Sequence, residues 1–150
     1  MVRKAMGWGL TAVFVVGLYG CATMGEGEPA PSLYKRLGGR EGIANVVEAF
    51  VGTMAADPRV SARFKGMKGP AIEKLKSHLS DQICDATGGP CSYLGRNMKT
   101  THKGMKVTEA EWSAAVENLG KALDKNKVGA KEKAELVGAI APMKGDIVGQ

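Results

Sequence analysis

The stretch 41-EGIANVVEAFVGTMAA-56 places Ile43, Val46, Val47, Phe50, Val51 and Met54 on one line of a helix surface. Steps of three and four residues between apolar positions are the signature of an amphipathic helix, so this segment predicts one from Glu41 to Ala56. Asp57-Pro58 stops it, because proline lacks the N–H a helix needs and disfavours helical backbone in the residue before it. A chain organised around such a helix needs further helices to cover the apolar face.

They follow downstream. In 71-AIEKLKSHLSDQICDA-86 the same spacing recurs through Ile72, Leu75, Leu79, Ile83 and Ala86, and Gly88-Gly89-Pro90 closes the helix. Thr108 and Glu111 form a capping-box pattern, after which Trp112, Ala115, Val116, Leu119 and Leu123 carry a helix to about Lys125. A last helix is predicted from Ala130 through Leu136, Val137 and Ile140 to Ile147, kinked at Pro142. No segment sustains a two-residue alternation. The expectation is an all-α domain without a sheet, internal repeats or low-complexity tracts.

Upstream the chain changes character. Arg3 and Lys4 precede an uncharged, mostly apolar run of 16 residues, Ala5 to Gly20, which ends in Leu18-Tyr19-Gly20-Cys21. A basic start, an apolar middle and a small residue before a cut describe a secretory signal, and the run is shorter than the ~20 residues a bilayer-spanning helix needs. The tetrad resembles a bacterial lipobox, which implies lipidation of Cys21. Ala22 after it resembles the sorting of lipoproteins to the outer membrane, facing the periplasm. Ala22 to Pro31 holds Gly25, Gly27, Pro29 and Pro31 without apolar periodicity and reads as a flexible tether. The expected organisation is a signal at 1–20, a lipidated tether at 21–31 and a single domain at 32–150.

Removing the signal leaves 19 cationic residues against 15 acidic ones, a charge of +4. That excess is mild, its residues are interspersed with acids along helical faces, and no aromatic residues interleave with a basic stripe. A nucleic-acid partner is not expected.

Only two histidines are present, His78 and His102. His78 lies three residues after Leu75 at the edge of an inward stripe. His102 lies between Met98 and Met105 in a short polar segment. Two imidazoles on different elements, backed by apolar or soft side chains, could meet a flat apolar cofactor from opposite sides, or each could be a hydrogen-bonded, half-buried residue. Spacing leaves both readings open.

The local motifs narrow them. Leu33-Tyr34-x-x-Leu37-Gly38-Gly39, the Val46-Val47-x-x-Phe50 run, Asp57-Pro58-Arg59-Val60 followed by Phe64, and Thr87-Gly88-Gly89-Pro90-x-x-Tyr93-x-Gly95-Arg96-x-Met98-Lys99-x-x-His102-x-Gly104-Met105 resemble the group I truncated haemoglobins from Leu33 to Val148. The resemblance implies a two-over-two helical sandwich around haem b, with His102 as the proximal iron ligand through its neutral imidazole. It implies a pocket wall of Phe50, Phe64, Leu75, Leu79, Ile83, Met98, Val107, Trp112 and Ile140, with Tyr93 beside it. Arg96 and Lys99 are candidates for the haem propionates. The paired glycines, 38–39 and 88–89, are expected to turn short helices over the cofactor.

The sequence also departs from that family. Where a tyrosine commonly follows the phenylalanine of the second helix this chain has Val51, and Leu75 and Leu79 stand where glutamines are often found. The usual hydrogen-bond donors to a bound ligand are therefore missing. His78 aligns with a position that in some members supplies a sixth iron ligand, so the resting iron is expected to be held by both histidines. Cys84 and Cys91 flank the glycine turn, and a disulfide or two buried thiols are the alternatives in an oxidising compartment. No Cys-x-x-Cys-His run supports covalent haem attachment.

The reading that follows is a haem-binding globin handling the diatomic ligands O2, NO and CO, with oxygen binding or dioxygenase-like oxidation of nitric oxide the implied activities and an unidentified reductase as partner. The alternatives are a periplasmic haem redox protein that passes electrons and a haem-free helical envelope lipoprotein.

Overall fold

In the computed structural model, residues 30–150 are described, and among them the chain forms six α-helices joined by short turns. The signal, Cys21 and nearly all of the tether lie outside the described residues. The helices are α1 (Leu33–Arg36), α2 (Gly39–Ala56), α3 (Gly69–Ala86), α4 (Met98–His102), α5 (Glu109–Lys125) and α6 (Ala130–Ile140), with 3-10 turns at Ser61–Phe64 and Ala141–Asp146. The only β-type pairing among the described residues is an isolated parallel bridge between Val107 and Val148, which ties the chain end to the entrance of α5.

The amphipathic pattern of α2 does what its spacing demands. Ile43, Val46, Val47 and Val51 are buried, and α2 packs most extensively against α5 and α3. Leu119, Ala122 and Leu123 of α5, Ile83 and Cys84 of α3 and Leu136 of α6 complete the core. Complete burial of a leucine such as Leu123 or Leu136 contributes about 1.5–3 kcal/mol, so this cluster supplies much of the folding drive.

Helix ends follow local chemistry. The Thr108 hydroxyl accepts from the Glu111 N–H at 3.2 Å while Glu111 reaches back to the Thr108 N–H at 2.8 Å, the reciprocal cap expected from sequence. Helix α3 starts earlier than its apolar pattern, at Gly69, because Pro70 fits the first turn where its missing N–H costs nothing. Pro142 acts differently from expectation. The last α-helix stops at Ile140 and a 3-10 turn with Pro142 at its start runs to Asp146, so the proline changes the helix type where a kink was expected.

The glycine pairs divide by cause. Gly38 and Gly39 both adopt positive φ, +88° and +67°, between α1 and α2. Of the second pair only Gly88 does, at +76°; a Cβ on Gly89 would lie 2.5 Å from the Cys84 Sγ and 2.6 Å from the Tyr34 ring. One glycine there serves the turn and the other serves close packing.

Candidate functional site

A cavity of about 390 Å3 opens between α2, α3, α4 and α5 and is lined mostly by apolar side chains. Phe50, Val51 and Met54 of α2, Leu75, Leu79 and Ile83 of α3, and Trp112, Ala115, Val116 and Leu119 of α5 form its walls. Met98 and His102 of α4, Val107, Phe64, Ile140 and Met143 complete it. The volume and apolar character are those of a pocket for an organic cofactor or ligand.

His102 is the half-buried side chain on this wall with chemistry to offer. Its Nδ1 lies 2.8 Å from the carbonyl oxygen of Met98, four residues earlier in the same short helix. A carbonyl only accepts, so in the neutral ring Nδ1 carries the proton and Nε2 keeps a lone pair. A carbonyl held against the far ring nitrogen in this way fixes both the tautomer and the orientation of an imidazole that ligates a metal. Asn97 sets up the geometry by capping α4, its side chain accepting from the Thr100 N–H at 2.8 Å.

The polar groups on the wall are otherwise committed elsewhere in large part. Arg63 donates to both oxygens of Glu111, at 2.7 and 2.9 Å, and to the Met105 carbonyl at 2.7 Å. This clamp ties the 3-10 turn after α2 to the loop after α4 and to the start of α5. The Arg63 guanidinium, followed by the Thr108 backbone, holds the Glu111 carboxyl at about 2, well below the usual carboxylate range. Thr101 donates to the Arg96 carbonyl at 3.2 Å. Gln82 reaches only two thioethers, the Sδ atoms of Met98 and Met143, each at 3.4 Å.

The structure therefore gathers Phe50, Val51, Phe64, Leu75, Leu79, Ile83, Met98, His102, Val107, Trp112 and Ile140 around one cavity. It does not bring His78, Tyr93, Arg96 or Lys99 onto that wall. The His78 ring sits edge-on to the Tyr93 ring, with centroids 6.2 Å apart, and the Tyr93 hydroxyl donates to the Arg96 carbonyl at 2.9 Å. Helix geometry gives the reason. Taking Leu75 as origin, Leu79 lies about 40° to one side, Gln82 about 20° to the other, and His78 about 60° out on that second side, beyond the stripe. Arg96 and Lys99 are exposed. Cys84 and Cys91 are joined in a disulfide with their Cα atoms 5.8 Å apart, which selects one of the two alternatives left by the sequence.

Sequence reasoning missed Gln82, the Arg63–Glu111 clamp and the methionines Met54, Met67, Met105 and Met143. Gln82 carried a readable signal, since it lies seven residues after Leu75 on the same stripe. The Arg63–Glu111 contact carried none, because the two are 48 residues apart.

Comparison with known proteins sets this arrangement among related ones. Residues 32–148 match the family described as bacterial-like globin. The group 1 truncated hemoglobin GlbN of Mycolicibacterium paratuberculosis is 34% identical over 122 residues, covering 81% of this chain and 87% of that protein. The group 1 truncated hemoglobin of Tetrahymena thermophila is 29% identical over 120 residues, covering 80% of this chain and 97% of that protein. Among solved structures, the Fe(III) form of the truncated hemoglobin from Tetrahymena pyriformis superposes with a TM-score of 0.75 at 28% identity, over 80% of this chain and 100% of that one. The 2/2 hemoglobin from Synechococcus, in the cyanomet state with covalently attached heme, gives 0.72 at 29% identity, over 79% of this chain and 98% of that one.

Proposed function

This chain belongs to the bacterial-like globin family, and on that premise we propose that the cavity between α2, α3, α4 and α5 holds haem b with His102 as the proximal ligand. The fold is the two-over-two globin sandwich and the protein a haem-binding globin that handles diatomic ligands. The observation that carries the His102 assignment is its Nδ1 contact to the Met98 carbonyl, which leaves Nε2 as a lone-pair donor on an apolar wall.

The donor set fits this group and no bare ion. Among the described residues no cluster of three or more His, Cys, Asp or Glu side chains is arranged around a metal site, and a single imidazole cannot satisfy a metal alone. It would suffice for an iron whose remaining protein-independent ligands a macrocycle supplies. When bound, haem supplies an iron with a coordination position open to a small gaseous ligand. The rest is the work of the chain. Met98 holds the imidazole, Phe50, Trp112 and Ile140 supply the hydrocarbon that accepts a flat apolar group, and Val51, Leu75 and Leu79 exclude water from the wall without offering a hydrogen bond. A polarised ligand forgoes about 1 kcal/mol for each donor lost, so ligand release is fast rather than retentive. Oxygen binding with turnover of nitric oxide suits that behaviour better than storage.

Export and lipid anchoring through Cys21 complete the proposal. The Cys84–Cys91 bond supports it, because disulfides persist in oxidising compartments such as the bacterial periplasm. Cys21→Ala is expected to move the protein out of the membrane fraction or leave an uncleaved precursor, and unchanged fractionation would refute the anchor.

His102→Ala tests the central assignment. The variant is expected to lose the Soret band on gel filtration after haem loading, and His102→Gly is expected to recover it in added imidazole. Unchanged haem retention by both variants would end the proximal role of His102.

A further inference from the structure

The segment carrying His102 has a second property that the cavity does not use. From Ala86 to Thr108 there is no aspartate or glutamate, while Arg96, Lys99, Lys103 and Lys106 all lie within it. All four are exposed and none takes part in an ion pair among the described residues, a property shared by other surface lysines such as Lys65 and Lys68, so what sets the segment apart is the lack of an acid within it. Lys99 lies on α4, and Lys103, four residues on, caps its C-terminal end.

The same segment holds both of the large apolar residues exposed among the described residues, Leu94 at 92% and Met105 at 36%. Leu94 stands in solvent and Met105 at the cavity edge, and exposed apolar side chains in a stretch whose only charges are positive have the makeup of a protein interface rather than of an inert surface. Asp85, which accepts from the Tyr93 N–H, and Glu111, engaged by Arg63, border the segment, but neither pairs with its four cations, which are unfavourable to each other and gain from an oppositely charged partner.

We propose that residues 94–106 form a docking surface for an acidic protein, specifically a small one-electron carrier. The proposal rests on the haem reading, because it is the place of His102 on this segment that makes an electron carrier the fitting occupant. Such a carrier gives up one electron as ferric iron gains one, and docking against α4 brings it to the element that carries the iron ligand. A membrane surface fits less well. Helix α4 has five residues and no broad apolar face, and two separated apolar side chains bury too little area to hold a protein on a bilayer.

The test titrates the full-length haem-loaded protein with a plant-type [2Fe–2S] ferredoxin as the acidic probe and with cytochrome c as a basic control, following heat and amide shifts. Saturable binding to the ferredoxin alone is expected at low salt, weakening at least ~10-fold at physiological ionic strength, where the screening length falls to about 8 Å. Lys103→Glu with Lys106→Glu is expected to weaken it ~10-fold at low salt with the Soret band unchanged, and Leu94→Ser to weaken it without altering the salt slope. Equal affinity of wild type and the double charge variant, or no saturable binding at low salt, overturns the proposal. So does binding to phosphatidylglycerol vesicles that the double variant abolishes, which would assign the patch to lipid. A missing Soret band in the wild type would instead count against the haem reading, since association is measured independently of it.

Discussion

Breaking the Cys84–Cys91 bridge should cost this domain about 2.5 kcal/mol, because the bridge closes a loop of eight residues and the chain-entropy relation for cross-links gives roughly that value at this length. Unfolding entropy near 2.1 cal/mol/K per residue over the domain amounts to about 0.25 kcal/mol/K, so the expected fall in Tm is about 10 °C. Three samples separate the contributions: oxidised wild type, wild type with excess phosphine reductant, and Cys84→Ala/Cys91→Ala, all melted by circular dichroism at one fixed haem excess. The reduced wild type isolates the cross-link. The double variant also loses the Cys84 sulfur from a site only 1% exposed and should melt lower still. The sign is fixed by where the bridge acts: it restricts the unfolded chain, while the folded turn keeps its own bonds from Thr87 to the Ile83 carbonyl and from Gly89 to the Cys84 carbonyl. Oxidised and reduced wild type melting within ~2 °C of each other would refute this reasoning.

Glu111→Gln should remove a pH dependence. The folded carboxyl is held at about 2 by Arg63 and Thr108, so its contribution is complete above the ordinary carboxylate value of 4.5 and is lost as pH falls from there towards 2; urea unfolding across that window should slope in wild type and flatten in the variant. Asn118, 2% exposed, donates to Asp57 at 2.7 Å and to the Ala114 carbonyl at 2.9 Å; Asn118→Leu should cost about 1–3 kcal/mol by equilibrium denaturation. Val51→Tyr should slow oxygen release about fivefold in stopped flow by restoring one donor of about 1 kcal/mol, and an unchanged rate would show that position 51 does not reach the ligand. With His78 seated on Tyr93, His78→Leu should leave the visible spectrum and carbon monoxide binding rate unaltered; a change from low-spin to high-spin bands would show that the ring swings to iron.

The helices were legible because each signal is local. The apolar positions of α2, the capping box of α5 and the stops at Asp57-Pro58 and Gly88-Gly89 act within a turn or two of chain, and the structure follows them. Three short elements escaped, among them the five-residue α4, read from sequence only as a short polar segment. Helix α1 and the 3-10 turn at Ser61–Phe64 have four residues each, too few for a periodicity to show. The first exists through contacts that sequence spacing does not report: the Tyr34 N–H donates to the Thr87 carbonyl, and Arg36 pairs with Glu132 and Glu135 across the fold. Pro142 was visible as a break, but whether a proline bends a helix or tightens it to 3-10 depends on what the following residues pack against.

The site divides along the same physical line. Leu75, Leu79 and Ile83 reach the cavity because an apolar stripe must be buried somewhere, and the α2–α3–α5 packing leaves one place for it. His78 fails to reach it by a rotation that spacing cannot resolve: a residue about 85° from the centre of the lining stripe can face a cavity or a neighbouring loop, and the loop holding Tyr93 decides the matter. That loop is in turn held down by the Cys84–Cys91 bond and by the Asp85 carboxylate, which accepts from the Tyr93 N–H at 3.1 Å. Gln82 shows the converse. A polar residue on the stripe itself has no choice of side, so it enters the cavity wall even though only thioethers receive it there. Position on the helix thus outranks residue type in deciding which side chains meet the cofactor, and residue type decides what they do once there. On that ordering the apolar wall of Val51, Leu75 and Leu79 is a property of the site itself, and a tyrosine or glutamine placed at any of the three would enter the cavity from the same helix position.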